Sequence, residues 1–317
     1  MNIRLIPKKE ILRDFFFRFS SETDLSALTR SVRSSGVCDP LWVISGKAGY
    51  RILAGFRRFR AAEAAGIEAL PCRVFSESDS ADRLFEDALR VQASQREFHL
   101  AEKARIIGIL NRLDVPRGEI VSRFFQILGL PQKNEMIEET AGLLSLHPAL
   151  LEYLERHPVS LKQASAFRRF SAEEQAVFAG LGAGLQIRIV ELSEMAGWIH
   201  DLSRGRGTSA EVLLKVLGIP DLVDDPGLNR TERIAAVKER LRRERYPTLE
   251  SWNEKIRMLR AELRMPESIR LTWDPSLESP GFRVEIHVRS AKDLEAVAAF
   301  FSSRENRERM GEILSLV

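Results

Sequence analysis

The stretch GYRILAGFRRFRAAEAAGIEALPCRVF, residues 49–75, reads as strand, glycine, helix, glycine, strand. Tyr50 to Ala54 is a short apolar run, and an alanine-rich helix follows Gly55 and stops at Gly66. LPCRVF (70–75) then returns to strand. Two arginines, Arg57 and Arg58, stand at the helix start, where the backbone's own positive end disfavours cations. Free backbone N–H groups at a helix start already form a phosphate site, and arginines beside them add bidentate donors. Gly55 places a residue without a side chain at the junction, where a ligand can approach the backbone. A solvated basic turn is the alternative reading of the same residues.

Upstream, IRLI is a candidate first strand. Asp24 to Ser35 carries Leu25, Leu28 and Val32 at helical spacing and ends at Gly36. PLWVIS (40–45) is a strand that meets YRILA across the turn GKAG. Residues 1–97 therefore read as an α/β domain. From about residue 80 to 200 the period is helical: ADRLFEDALRVQASQ places Leu84, Phe85, Ala88 and Leu89 on one face, and LAEKARIIGILNRL is amphipathic. Two helices meeting at Gly129-Leu130-Pro131 predict a helix-turn-helix, with an ordinary helical hairpin as the alternative, inside an all-helical domain over 98–202.

SRGRG (203–207) reads as a flexible basic break. The segment 203–246 is taken as a basic linker and a charged helix, the latter at 230–246 and including Arg240, Arg242 and Arg243. The remainder, 247–317, changes period. Ile269, Leu271 and Trp273 alternate, as do Phe282, Val284, Ile286 and Val288. Ser290 is placed to cap a helix whose Leu294, Val297, Ala298 and Phe301 face one way. Two strands and one helix bury too little alone, so this ββα module needs a second copy or the chain's own helices.

Bulk properties bound the function. The chain has 317 residues, 44% of them hydrophobic and 29% charged, with a net charge of +3, so any nucleic-acid contact is local. Two cysteines, Cys38 and Cys72, exclude a disulfide framework. A charged N-terminus and the lack of a long apolar run predict a cytoplasmic protein without membrane contact. There is no P-loop, dinucleotide fingerprint or His-Glu-x-x-His.

In order and content these pieces resemble the ParB-type chromosome and plasmid partition proteins. DLSALTRSVRSSGVCDPLWV (24–43) looks like that family's first box, residues 49–75 like its second, and QASQREFHLAEKA (92–104) lies at its third. The resemblance implies a ParB/sulfiredoxin-like N-terminal domain, a helix-turn-helix domain and a ββα dimerisation tail. It implies CTP bound by the N-terminal domain, DNA as a partner, and a homodimer. Gly55, Arg57, Arg58, Arg60 and Ala61 match the second box, and Gln95 and Arg96 match the end of the third. These residues and Gly36 are the expected nucleotide contacts, Ala61 excepted.

The chain departs from the pattern in several places. Phe56 replaces the second box's glutamate and Asp39 a glutamine of the first. Gln92 and Ala93 replace a glutamate and an asparagine that in the family serve metal binding and hydrolysis. The resemblance therefore does not carry Mg²⁺-assisted hydrolysis to this chain. Expected DNA contacts are Lys133, Asn134, Lys162, Arg168, Arg169, Arg240, Arg242 and Arg243. The helix after the turn carries Glu135, Glu138 and Glu139, which predicts phosphate contact more than base reading. IRLIP begins at residue 3, where the family has an arm that binds the partition ATPase, so that partner is not implied. Two other classes remain open at this point. One is a phosphotransferase or nuclease on the same fold, which needs a carboxylate such as Glu63 or Glu68 beside the arginines. The other is a structural partner protein without either activity.

Overall fold

A computed structural model describes residues 3–20 and 25–317. Asp24, read above as the first helix's start, lies outside the described residues. The chain divides into two compact units, Met1–Ala196 and Gly197–Val317.

Unit 1 opens with β1 (Ile3–Pro7), α1 (Ser26–Ser35), β2 (Leu41–Gly46), β3 (Gly49–Ala54), α2 (Phe56–Ala65) and β4 (Ala69–Ser76). The sheet order is β1-β4-β2-β3; β2 and β4 run parallel, and both outer pairings are antiparallel. Apolar side chains on β2, β3 and β4, including Leu41, Val43, Ile52, Leu70 and Cys72, are fully buried. The register of β2 against β3 shifts between Trp42 and Val43. Trp42 pairs with Ala54 and Val43 with Ile52, so Leu53 is the extra residue of a bulge. That bulge breaks the alternation and buries Ile52, Leu53 and Ala54 in succession at the end leading into α2. The β2–β3 turn depends on Gly49, at φ +134°, where a Cβ would stand 2.5 Å from the Glu10 carbonyl oxygen.

Helices follow: α3 (Ala81–Ala93), α4 (Leu100–Arg112), α5 (Arg117–Glu119), a π turn (Ile120–Phe124), α6 (Phe125–Leu128), α7 (Glu135–Ala141) and a 3₁₀ turn (Gly142–Ser145). Next come α8 (Pro148–Glu155), α9 (Leu161–Ser165), a second 3₁₀ turn (Ala166–Arg169), α10 (Ala172–Leu185) and α11 (Ile189–Gly205). One buried cluster runs from Ile6 on β1 to Ile137 on α7, so the core continues across residue 97. Residues 117–128 and 135–141 are two helical stretches joined at Gly129, which takes φ +60°. Asn134 sits at the start of α7, and Lys133 immediately before it.

Unit 2 contains α12 (Ala210–Val216), α13 (Ile219–Asp224), α14 (Arg230–Arg245), α15 (Pro247–Glu262), β5 (Ile269–Trp273), β6 (Phe282–Ile286), α16 (Ala291–Ser302) and α17 (Arg304–Leu314). SRGRG is not a flexible break. Its first three residues finish α11, Ser203 is buried, and the Thr208 amide donates to the Ser203 carbonyl. The strands β5 and β6 pair antiparallel, and they find their cover on the chain's own helices. Ile269 and Leu271 share a core with Ile256 and Leu263, Val297, Phe300 and Ile313. Ser290 caps α16 as expected, accepting from the Asp293 amide. The helix face differs from the sequence reading: Phe300 takes the buried place assigned to Ala298, while Leu294 is 59% exposed.

Candidate functional site

The glycine-to-helix junction opens onto a cavity of about 300 Å³. Gly55 adopts φ +101° and supplies no side-chain cap. The first helical bond inside α2 runs from the Phe59 amide to the Gly55 carbonyl. The amides of Phe56, Arg57 and Arg58 are therefore left over at the helix start, facing a positive macrodipole end. The bulged strand delivers Leu53 and Ala54 to the same wall, the end of α3 delivers Gln92, and the segment after it delivers Gln95 and Arg96. Phe19 and Leu28 supply apolar lining.

The three lining arginines differ in their engagements. Arg58 Nη1 donates to the Asp39 carbonyl (2.6 Å), the Pro40 carbonyl (2.9 Å) and the Asp39 carboxylate. Burial lowers the Arg58 pKa, and the Asp39 charge opposes that shift. Gly55 has no side chain for a reason other than ligand approach alone: a Cβ there would stand 3.1 Å from Leu41 and 3.3 Å from Arg58 Nη2. Arg96 is held by both oxygens of buried Glu102, each at 2.7 Å, and this raises its pKa despite desolvation. Glu102 also accepts the His99 amide, which starts α4. Arg57 is exposed and has no ion pair among the described residues.

Five of the seven expected nucleotide contacts thus meet at one cavity: Gly55, Arg57, Arg58, Gln95 and Arg96. Gly36 and Arg60 are not on its wall. Gly36 ends α1 at φ +72°, its amide bonded to the Val32 carbonyl, and Arg60 pairs with Glu63. Sequence reasoning missed Glu102, although the interval His99 to Glu102 is that of a capping box. The pairing of Asp39 with Arg58 had no local signal, because the partners are 19 residues apart.

The carboxylates needed for an enzyme reading are engaged elsewhere. Glu63 binds Arg13 and Arg60, and Glu68 binds Lys8. Among the described lining residues Asp39 is the lone carboxylate, and Arg58 holds it. Phe56 is buried, Ala93 offers no oxygen and Asp39 is engaged by Arg58, so the described residues of the wall do not fit a Mg²⁺ ion. Cys72 is fully buried, and burial pushes its thiol up to about 11, which leaves it inert. Cys38 is exposed and not on the cavity wall.

The expected DNA contacts fall into two groups. Lys133, Asn134, Lys162, Arg168 and Arg169 are all exposed on unit 1. Arg168 lies against Gly142, where a Cβ would come 2.6 Å from its Nη1. Arg169 stacks on Phe170. On α14, by contrast, Arg240 donates to the Leu217 carbonyl at the end of α12, and Arg242 pairs with buried Glu250. Both guanidinia hold unit 2 together. Arg243 is on the surface, paired with Glu239 one turn back.

With this geometry in view, comparison with known proteins gives a consistent result. Residues 6–86 match the ParB N-terminal domain. The chromosome-partitioning protein Spo0J of Thermus thermophilus is 31% identical over 159 residues, which cover 50% of this chain and 55% of that protein. A probable plasmid-partitioning protein ParB of the same organism is 27% identical over 194 residues, 52% of this chain and 65% of that one. The chain spans about half the length of the first of these and under two thirds of the second. The crystal structure of a C-terminally truncated Caulobacter crescentus ParB complexed with CTP-γ-S aligns over 57% of this chain and 98% of that one, at 24% identity. Its TM-score is 0.27, a likeness too loose to build on. Residues 6–86 thus carry a ParB N-terminal domain, and about half of the chain is similar to chromosome- and plasmid-partitioning proteins. No helix among the described residues is long and apolar enough to cross a membrane.

Proposed function

We propose that this chain is a partition-type DNA-binding protein whose N-terminal domain holds a nucleoside triphosphate, CTP, without efficient hydrolysis. The observation that carries the reading is the convergence of Arg57, Arg58 and Arg96 with an uncapped helix start on one cavity. Among the described residues, the carboxylate of Asp39 on the wall and that of Glu102 behind Arg96 offset two of the three cations, which leaves the positive charge of Arg57 and the free helix amides facing the cavity. A triphosphate suits that wall: its oxygens take the leftover amides and the guanidinium forks. Gln92 and Ala93 in place of acidic and amide ligands, together with Phe56, support retention of the nucleotide without turnover.

DNA is held mainly through its phosphates in this reading. Lys133, Lys162, Arg168, Arg169 and Arg243 are surface cations, while Glu135 and Glu138 face solvent on the helix that would read bases. The dimer contact is assigned to the exposed apolar residues Ile286 (46%) on β6, Val288 (48%) just after it and Leu294 (59%) on α16, because Ile269 and Leu271 on β5 are already covered.

Calorimetry of CTP with the intact protein, with and without Mg²⁺ and duplex DNA, tests the reading. Binding is expected in the absence of Mg²⁺, with little phosphate released over hours. Rapid release of phosphate, or an absolute requirement for Mg²⁺, defeats the hydrolysis part; absence of any nucleotide binding defeats the site. Light scattering on an Ile286→Glu, Leu294→Glu variant is expected to give half the mass of the parent. An unchanged mass moves the interface elsewhere.

A further inference from the structure

A second cation-lined cavity, of about 370 Å³, lies apart from the first in unit 1, against α4. Its floor is Gly108, flanked two turns apart on one helix face by Arg105 and Arg112. Arg18 closes it from the loop before α1, and Phe15 and Leu144 form the apolar rim. Two of the guanidinia are fixed in place by main-chain oxygens. Arg105 Nη1 donates to the Phe19 carbonyl at 3.1 Å, and Arg112 Nη2 to the Phe16 carbonyl at 2.9 Å. Arg105 also forms an ion pair with buried Glu155. Arg18 lies over the Phe15 ring and Arg112 over that of Phe16. Three arginines thus converge around a glycine floor, and Glu155 engages one of them. Alanine at residue 108 would crowd that floor, since its Cβ would stand 3.0 Å from Leu144 Cδ1.

We propose that this cavity seats a backbone phosphate of DNA. The rim residue Leu144 belongs to the 3₁₀ turn that follows α7, the second helix of the helix-turn-helix candidate. Arg168 lies against Gly142 at the start of that same turn. The turn is therefore flanked by cations on the cavity side and at Gly142, and a cationic tract that continues past a cavity selects a polyanion over a small isolated anion. The guanidinium forks match phosphate oxygens, and their fixed positions lower the ordering cost of the contact. The proposal rests on the DNA-binding reading above and adds to it a phosphate contact outside the helix-turn-helix itself.

Two variants of the intact protein test it, Arg112→Ala and Arg18→Ala, with duplexes of unrelated sequence titrated over a range of salt. Each variant is expected to bind every duplex about tenfold more weakly. Each is also expected to have a slope of log affinity against log salt about 0.9 shallower. Arg112→Lys should restore most of the slope, because the charge returns even though the fork does not. CTP affinity should stay at the parent value in all three, since neither residue is on the other cavity's wall. Thermal unfolding identifies a variant whose fold has failed, and the other arginine variant then decides. Slopes equal to the parent's in correctly folded variants overturn the cavity's role and leave DNA binding elsewhere intact. Failure of the parent to bind any duplex at low salt overturns both readings together.

Discussion

Replacing Arg123 by alanine is expected to destabilise unit 1 by about 3 kcal/mol at neutral pH. Arg123 lies in the π turn at Ile120–Phe124 and reaches three carboxylates. Nη1 donates to Asp82 Oδ2 and Glu119 Oε2, each at 2.7 Å, and Nε to Glu86 Oε2 at 2.9 Å. Nη2 approaches Glu86 at 2.8 Å as an ion pair without forming a hydrogen bond. The side chains of Arg123, Asp82 and Glu86 are 22%, 23% and 15% exposed, so removing the cation leaves two half-buried carboxylates facing each other. Burial works against the Asp82 and Glu86 carboxylates, yet Ser80 and Arg123 at the first, and Arg90 and Arg123 at the second, hold both below their ordinary range.

Because those pKa values are depressed in the folded protein, the associated stability is present above the ordinary carboxylate range. It is lost as the pH falls below about 4. The penalty for Arg123→Ala should therefore be largest at neutral pH and shrink on acidification. Hydrogen exchange of α3 and residues 117–128 reads it directly, with amide protection at neutral pH reduced roughly 100-fold. Arg123→Lys should fall between parent and alanine, since it keeps the charge and loses the fork. Unchanged protection in the alanine variant would mean that the three carboxylates are solvated well enough not to need it.

This cluster illustrates what the sequence could and could not disclose. The strand–glycine–helix–glycine–strand reading of residues 49–75 holds because each boundary carries a local cause: φ +101° at Gly55, φ +77° at Gly66, and apolar runs between. The face Phe85, Ala88 and Leu89 of α3 was equally legible, since burial there follows helical period. Partners of charged side chains were not. Arg123 meets Asp82 from 41 residues away, and Arg242 meets Glu250 on the next helix, so a run of basic residues on α14 looked like a free surface. Its charge was visible, whereas its engagement depended on tertiary packing. The helices α12 and α13 were likewise passed over, although Leu213, Leu217 and Ile219 are buried there. Short helices carry too few periodic positions to stand out.

Arg57 and Arg58 allow the candidate site to be tested by contrast, because neighbours in sequence have different engagements. Arg57→Ala is expected to weaken CTP binding about 10- to 100-fold, the loss of one charge-assisted contact of about 1.5–3 kcal/mol. It should leave the unfolding transition unchanged, since Arg57 is exposed and ties nothing together. Arg58→Ala should weaken CTP by a similar factor and also destabilise the fold. Its Nη1 joins α2 to the Asp39–Pro40 turn ahead of β2, and its loss leaves the Asp39 carboxylate beside the phosphates without a counter-ion. Asp39→Asn distinguishes these effects. Removing the negative charge while keeping an acceptor for Arg58 should tighten CTP binding, and more so at low salt, where the repulsion it relieves is least screened. Calorimetry on the three variants at two salt concentrations measures all of this. If Asp39→Asn binds CTP more weakly than the parent, Asp39 is a direct contact of the nucleotide or its counter-ion, and the absence of a metal role at this cavity would have to be given up. If Arg57→Ala binds as the parent does, the phosphates lie somewhere other than the start of α2.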